Sequence, residues 1–568
     1  MVVGGAYGGF APKNSSSTAM NYGCPYGEVE APVYPGSAGS ANYMTQDGTA
    51  GGGLAWIEAT GAIVVDGDVD ARSQNWNSGI QMGYGSGGGI YLKGASVTGA
   101  GKLQANSTCG GQGTMVRVGS GGRIAVVYDP AAERAAIAGG ADHVLQFNAG
   151  TTPSENWVTM FGYVEFNYAT RWAADIGTVY LSDGQLLTDE FGKTGLVSGE
   201  LHLGDWSTWQ PQRLVLNGCR VRFNPDGGLV DLPGDVVLTN HAGVGLGGGA
   251  GSWTNSYYCA RLFTKGLGPR MRIRGNLILA DEPDNTKKAF EKTYLNLMAG
   301  LANPAIDGIG GELQVDGDLT VGSNCVVFCS SDAIRGGGVR IKAKDVYLDR
   351  FGEFNAYALG FDGITRSSAD PINFVTAPGP GGGGGATDGR GGGYGGYGAS
   401  RSHAKYDEST KTGLVYGDEQ CPTNCGSGGG LNAAGGGLIW IEAAKTMRLA
   451  GTVNANGQNG PGSLNGGGSG GGIYLRCQTW DPVLETLSVT ANGGRGGDSA
   501  SSSYRSEGGG GRVAIWRTND TDPTETASRT YVSAKKGSNV TTSTSGRWAT
   551  DGTVFWKTFG TGLLLFVK

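Results

Sequence analysis

The amino-acid sequence predicts an all-β fold, a right-handed parallel β-helix or solenoid with long glycine-rich loops. Three observations carry this expectation. One long stretch occurs twice in the same order, short runs alternating apolar and polar residues recur along the chain, and helical periodicity is scarce.

The duplication is read directly from the residues. Gly51-Gly52-Gly53-Leu54-Ala55-Trp56-Ile57-Glu58 returns as Gly435-Gly436-Gly437-Leu438-Ile439-Trp440-Ile441-Glu442. Gly89-Ile90-Tyr91-Leu92-Lys93 returns as Gly472-Ile473-Tyr474-Leu475-Arg476, and Gly122-Arg123-Ile124-Ala125-Val126 as Gly511-Arg512-Val513-Ala514-Ile515. Gly177-Thr178-Val179-Tyr180 matches Gly552-Thr553-Val554-Phe555. Upstream, Tyr7-Gly8-Gly9 aligns with Tyr394-Gly395-Gly396, and Cys24-Pro25 is set against Cys421-Pro422. Copy A therefore spans 1–190 and copy B 384–568, with connecting rungs over 191–383.

The smaller unit is a glycine cluster, a short β run, a polar turn and another β run. Glu312-Leu313-Gln314-Val315 and Leu319-Thr320-Val321 alternate at period two, which suits strands with one buried face. Uneven spacing argues against the near-equal blades of a propeller and suits rungs that stack, with inserts at their corners. The one helix candidate lies near 285–301. The densest glycine segments, Gly379 to Gly398 and Gly466 to Gly472, fit corner loops needing positive φ. The sharper alternative is extended, polyproline-II-like segments packed too closely for any side chain.

Composition narrows the function classes. Glycine supplies 109 of 568 residues, and 43 basic against 49 acidic residues give a net charge of -6, so nothing marks a nucleic-acid surface. No apolar run approaches the ~20 residues of a membrane span. The turn-like surroundings of Cys24, Cys109, Cys421 and Cys425 make them disulfide candidates in an oxidising compartment. Cys325 and Cys329 share strand parity and suit an interior stack.

The glycine cluster and strand followed by Thr452-Val453-Asn454-Ala455-Asn456-Gly457 resemble the glycine-rich right-handed β-helix repeats of large bacterial extracellular proteins. Those are similar to autotransporter passenger and adhesin-like proteins with a pectin-lyase-like fold. The resemblance implies a secreted or cell-surface location and a scaffold or adhesion role. It supplies no functional residues.

Candidate sites are few. Trp56 with Glu58 and Trp440 with Glu442 share strand parity, and an outward tryptophan offers a stacking surface for a sugar. Asp66, Asp68 and Asp70 alternate so that all three face one way, an arrangement open to Ca²⁺. Copy B lacks this trio. The histidines stand in no nucleophile or ligand pattern. The expectation is a structural or adhesive protein more than an enzyme, either a piece of a longer array or a chain that self-associates through its ends into a fibre, with no cofactor beyond a Ca²⁺ option. The alternatives are a polysaccharide-active lyase or glycoside hydrolase and a carbohydrate-binding or tailspike-like module, with glycan as partner.

Overall fold

The computed structural model describes residues 5–9, 25–40, 48–74, 84–108, 119–150, 175–192, 194–223, 228–247, 266–281, 292–363, 377, 379–383, 390–399, 413–430, 433–460, 466–496, 506–518, 531–538 and 549–559. The chain forms two compact units, Met1–Thr264 with Thr286–Leu295, and Lys265–Asn285 with Asn296–Lys568. Copy A lies in the first unit and copy B in the second; the connecting residues are shared between them. The fold is all-β with few helices, and its paired strands run parallel.

In the second unit the chain visits three parallel sheets in rotation. Glu312–Val315, Leu319–Val321 and Cys325–Ser330 take one place in each sheet, and Arg340–Ala343, Val346–Leu348 and Glu353–Asn355 take the next. Copy B continues the rotation with Leu438–Ala443, Thr446–Leu449 and Thr452–Asn454, then Gly472–Arg476, Thr479–Pro482 and Ser488–Thr490. Arg512–Arg517 and Thr553–Thr558 end the first of these sheets. The period-two pattern explains the register. Ile341, Ile441, Leu475 and Ile515 stand in one inward column, each fully buried. Burying each such side chain stabilises the fold by about 1.5–3 kcal/mol.

The first unit carries the same alternation. Leu54–Glu58, Gly89–Lys93, Arg123–Val127 and Thr178–Leu181 stack in order and lead to the nine-residue strand Gly195–Leu203. That strand serves two lines at once. Its first half pairs with Gln146–Asn148, and Glu200–Leu203 pairs with Thr178–Leu181. The register shift between Leu196 and Ser198 accommodates both.

Two expectations need correction. In the expected helical stretch near 285–301, residues 285–291 lie outside the described set, and Thr293–Met298 is a strand with all six residues buried. A continuous apolar run buried on both faces suits a strand as well as a helix. An α-helix is found instead at Pro130–Ala138. Asp129 caps it by accepting from the Ala131 amide, and Pro130 opens the first turn.

Left-handed backbone is not the main reason for these glycines: among the described glycines of Gly379 to Gly398 and Gly466 to Gly472, Gly379 alone has a positive φ, at 101°. None of Gly391–Gly393, Gly466–Gly468 or Gly508–Gly511 has a left-handed φ. The segments are laced side to side instead. Three consecutive amides, of Gly466, Gly467 and Gly468, donate to the carbonyls of Gly430, Ser506 and Gln458. Gly392 and Gly494 donate back to Gly467 and Gly468, and Gly509 donates to Gly392. A strand bonds to neighbours on two sides only, whereas these three consecutive amides reach three separate segments. Side chains are excluded because backbone occupies their space. A Cβ on Gly436 would overlap the carbonyl oxygen of Ala455, and one on Gly52 that of Ala71.

Candidate functional site

Each copy carries an outward-pointing row on one sheet, whose inner members Tyr91, Ala125, Tyr474 and Ala514 are buried. In copy B, Trp440 is followed in register by Tyr474, Ala514 and Phe555. In copy A the row is Trp56, Tyr91, Ala125 and Tyr180. The leading rings touch the next rung, with centroids 4.8 Å apart for Trp56 and Tyr91 and 5.8 Å for Trp440 and Tyr474. The tryptophans therefore point outward, as parity allowed. Their indoles are tied down identically: Trp56 Nε1 donates to Glu58 Oε1 at 3.0 Å and Trp440 Nε1 to Glu442 Oε1 at 2.7 Å. Each predicted Trp–Glu pair is thus brought together within its own unit.

The two pairs differ in surroundings. Trp56 is 46% exposed on the first strand of its sheet. Trp440 is half-buried, with the Arg340 guanidinium 5.6 Å from its ring centre. The adjacent outward row of copy B adds Arg476, Trp516 and Lys557, whose ammonium lies 4.7 Å over Trp516. These aromatic faces edged by cations offer stacking surface and donors, which are the elements of sugar or peptide contact.

A second duplicated group clasps a loop over each row. Arg123 donates from Nε to the Tyr26 carbonyl at 3.0 Å and from Nη1 to Thr178 Oγ1 at 3.1 Å. Arg512 makes the same bonds to the Tyr416 carbonyl at 2.9 Å and to Thr553 Oγ1 at 3.1 Å. Beneath them Tyr7 packs on Tyr26, and Tyr394 on Tyr416, both at 4.8 Å. Burial pushes the Tyr7 hydroxyl up to about 12 and that of Tyr394 higher still, so both remain neutral, and the Tyr7 hydroxyl accepts from the Tyr34 amide. This group was missed in the sequence, because its members are spread over more than 150 residues.

The clasp also corrects the alignment of the copies. Cys421-Pro422 is not the counterpart of Cys24-Pro25. Tyr26 corresponds to Tyr416, and each hydroxyl donates at 2.6 Å to a carbonyl nine residues on, Pro35 or Cys425. The glycines that follow, Gly27 and Gly417, have φ of 75° and 73°, a conformation glycine adopts without strain. Cys421 therefore stands at the place of Ala31.

Cys421 and Cys425 carry free thiols, against the disulfide expectation; Cys24 and Cys109 lie outside the described residues. Cys425 is fully buried with Phe361 and Leu438, and burial raises its thiol to about 12. Cys325 and Cys329 lie buried on one strand as free thiols, as interior packing predicts.

The acidic trio does not converge. Asp70 is held by Arg72 at 2.6 Å, and that hydrogen bond keeps its carboxyl below the usual range. Asp68 accepts from Gln104, and Asp66 from the Ala100 amide. Among the described residues no group of three acidic, histidine or cysteine side chains is placed to hold a metal ion. Two carboxylates do meet elsewhere in the first unit, where Asp175 and Glu200 both accept from buried Arg222. Glu200 also bonds His202 at 3.0 Å. Glu200 and Arg222 are cross-strand partners, and the guanidinium bridges the two acids.

Comparison with known proteins returned no match: no family model, no curated protein and no solved structure is similar to this chain. No helix among the described residues is long and apolar enough to cross a membrane.

Proposed function

We propose that this chain is an extracellular structural or adhesive protein, built as a right-handed parallel β-helix and serving as a subunit of a surface fibre. The observation that carries this reading is what the two copies share. Their common side chains, Tyr7, Tyr26, Arg123 and Thr178 against Tyr394, Tyr416, Arg512 and Thr553, hold loops onto sheets. Their common glycines, such as Gly52 and Gly436, admit close backbone packing. A duplicated framework in which the repeated groups bond to one another suits a rigid spacer. The rotation of the chain through three parallel sheets supports the β-helix, and the glycine-rich repeat pattern supports its likeness to adhesin-like proteins.

Antibody-gold labelling of the producing cells tests this. Label on filaments or on the outer surface is expected; label confined to the cell interior would sink the proposal.

A carbohydrate-binding role is the second reading, favoured by the exposed indole of Trp56 beside Tyr91. Glycan-array binding by the intact chain that is lost in Trp56→Ala would support it.

A further inference from the structure

The outer strand of each unit leaves apolar side chains in the open. Leu54, Trp56 and Ile57 of the first strand are 38%, 46% and 43% exposed, and Val64 beside them is 63% exposed. In the second unit Val554, on the last strand of its sheet, is 41% exposed. The duplication provides an internal comparison for both strands. The counterpart of Leu54–Glu58 in copy B is Leu438–Ala443, and there another strand, Arg340–Ala343, lies on it in the register Arg340 to Trp440, Ile341 to Ile441 and Lys342 to Glu442. With that strand in place Ile441 is fully buried. The counterpart of Thr553–Thr558 in copy A is Thr178–Leu181, and there Glu200–Leu203 covers it. With that cover Val179 and Leu181 are fully buried. Each exposed strand is therefore an interior member of the sheet in the other copy.

The last strand also has the pattern the first one lacks. Arg340-Ile341-Lys342-Ala343 presents an apolar side chain inward and a lysine outward next to Glu442. Phe555-Trp556-Lys557-Thr558 repeats this order, with Trp556 in the inward column of Ile515 and Lys557 in the outward row of Trp516. Laid on Leu54–Glu58 in the same register, Phe555 meets Trp56, Trp556 covers Ile57, Val554 meets Ala55 and Lys557 faces Glu58. Apolar columns continue, and opposite charges fall side by side.

We infer that copies of this chain join head to tail, Thr553–Thr558 of one pairing in parallel with Leu54–Glu58 of the next, in the register Phe555 to Trp56, Trp556 to Ile57 and Lys557 to Glu58. This deepens the fibre reading above and rests on it for its biological setting, while the contact itself is a property of the two strands. Such a contact is heterologous, so it repeats from copy to copy, as an open filament or a closed ring.

The test uses two full-length variants, each blocked at one strand. Ile57→Asp places a charge in the inward column of the first strand, and Trp556→Asp in that of the last. In sedimentation velocity the wild type is expected to grow with concentration, and each variant alone to remain a monomer. An equimolar mixture is expected to give dimers and nothing larger, because each variant retains the strand the other needs. A wild type that stays monomeric, or a mixture that fails to dimerise, overturns the inference. Milder variants guard against misfolding: Glu58→Lys and Lys557→Glu should each weaken assembly about tenfold, and the double exchange should restore it. No restoration in the double variant also overturns the register. Interior labelling with a dimerising mixture would refute the surface role alone; surface labelling without dimers would refute this contact alone.

Discussion

The guanidinium of Arg512 lies 5.7 Å from the centre of the Tyr394 ring, and Arg123 stands in the same relation to Tyr7 at 5.6 Å. Each arginine bridges a buried aromatic, a loop carbonyl and a threonine of the next strand. Lysine, a point charge on a flexible stem, cannot reproduce that fork. Arg512→Lys is expected to destabilise the second unit by about 1–3 kcal/mol, and Arg123→Lys the first by a similar amount. Calorimetry of each variant measures this; losses below about 0.5 kcal/mol in both would show that the clasp contributes little.

Two glycines of the repeated cluster, one from each copy, should respond differently. A methyl on Gly436 would collide with the Ala455 carbonyl, whereas nothing lies within 4 Å of the same position on Gly53. Gly436→Ala should cost 3 kcal/mol or more, roughly the scale of severe core overpacking, or prevent folding. Gly53→Ala should change stability by less than about 0.5 kcal/mol. Urea midpoints of the pair decide whether close packing, and not turn geometry, is what glycine supplies.

Burial alone would raise the carboxyl of Glu312, but the hydrogen bonds and charges of Lys342 and Arg340 outweigh it and hold the group below its ordinary 4.5. A depressed folded value means that the pairing stabilises the fold above pH 4.5 and is lost as pH falls through that lower value. Glu312→Gln should therefore be less stable than wild type near neutrality, with the gap closing in acid. A gap unchanged with pH would contradict the ion-paired assignment.

Trp440 and Trp56 share a sequence context but not a cost. Trp440→Ala removes the Arg340 and Tyr474 contacts and should lose about 1–2 kcal/mol. Trp56→Ala, on an open strand, should fold with little penalty, so any ligand binding it abolishes is assigned to the indole itself.

Much of the framework was legible in the sequence. The strands of both copies, their alternation and the shared face of each Trp–Glu pair follow from period-two patterning around Trp56 and Trp440. What escaped depends on groups far apart in the chain. Arg123 reads as a polar end to a strand until the loop bearing Tyr26 folds onto it. The two cysteine-proline pairs misled because identical residues outweighed the Tyr-Gly pair whose positive φ sets the loop. Thr293–Met298 was misread because an apolar run buried on both faces has no period. The acidic trio looked like a ligand set because parity says nothing of Arg72, which neutralises Asp70 two residues on. Asp175, Glu200 and Arg222 have no local signature, since their meeting is created by strand pairing.

The glycine lattice bears on how the protein responds to temperature. It buries peptide groups where other interiors bury hydrocarbon, and exposing peptide groups lowers the heat capacity of unfolding while exposing hydrocarbon raises it. The second unit, where Gly392, Gly467, Gly468, Gly494 and Gly509 interlock, should therefore unfold with a heat-capacity increment below the usual ~12–15 cal/mol/K per residue. A smaller increment flattens the curve of free energy against temperature. Its stability then changes slowly toward both cold and heat, a property that follows from amide packing and requires no additional apolar core.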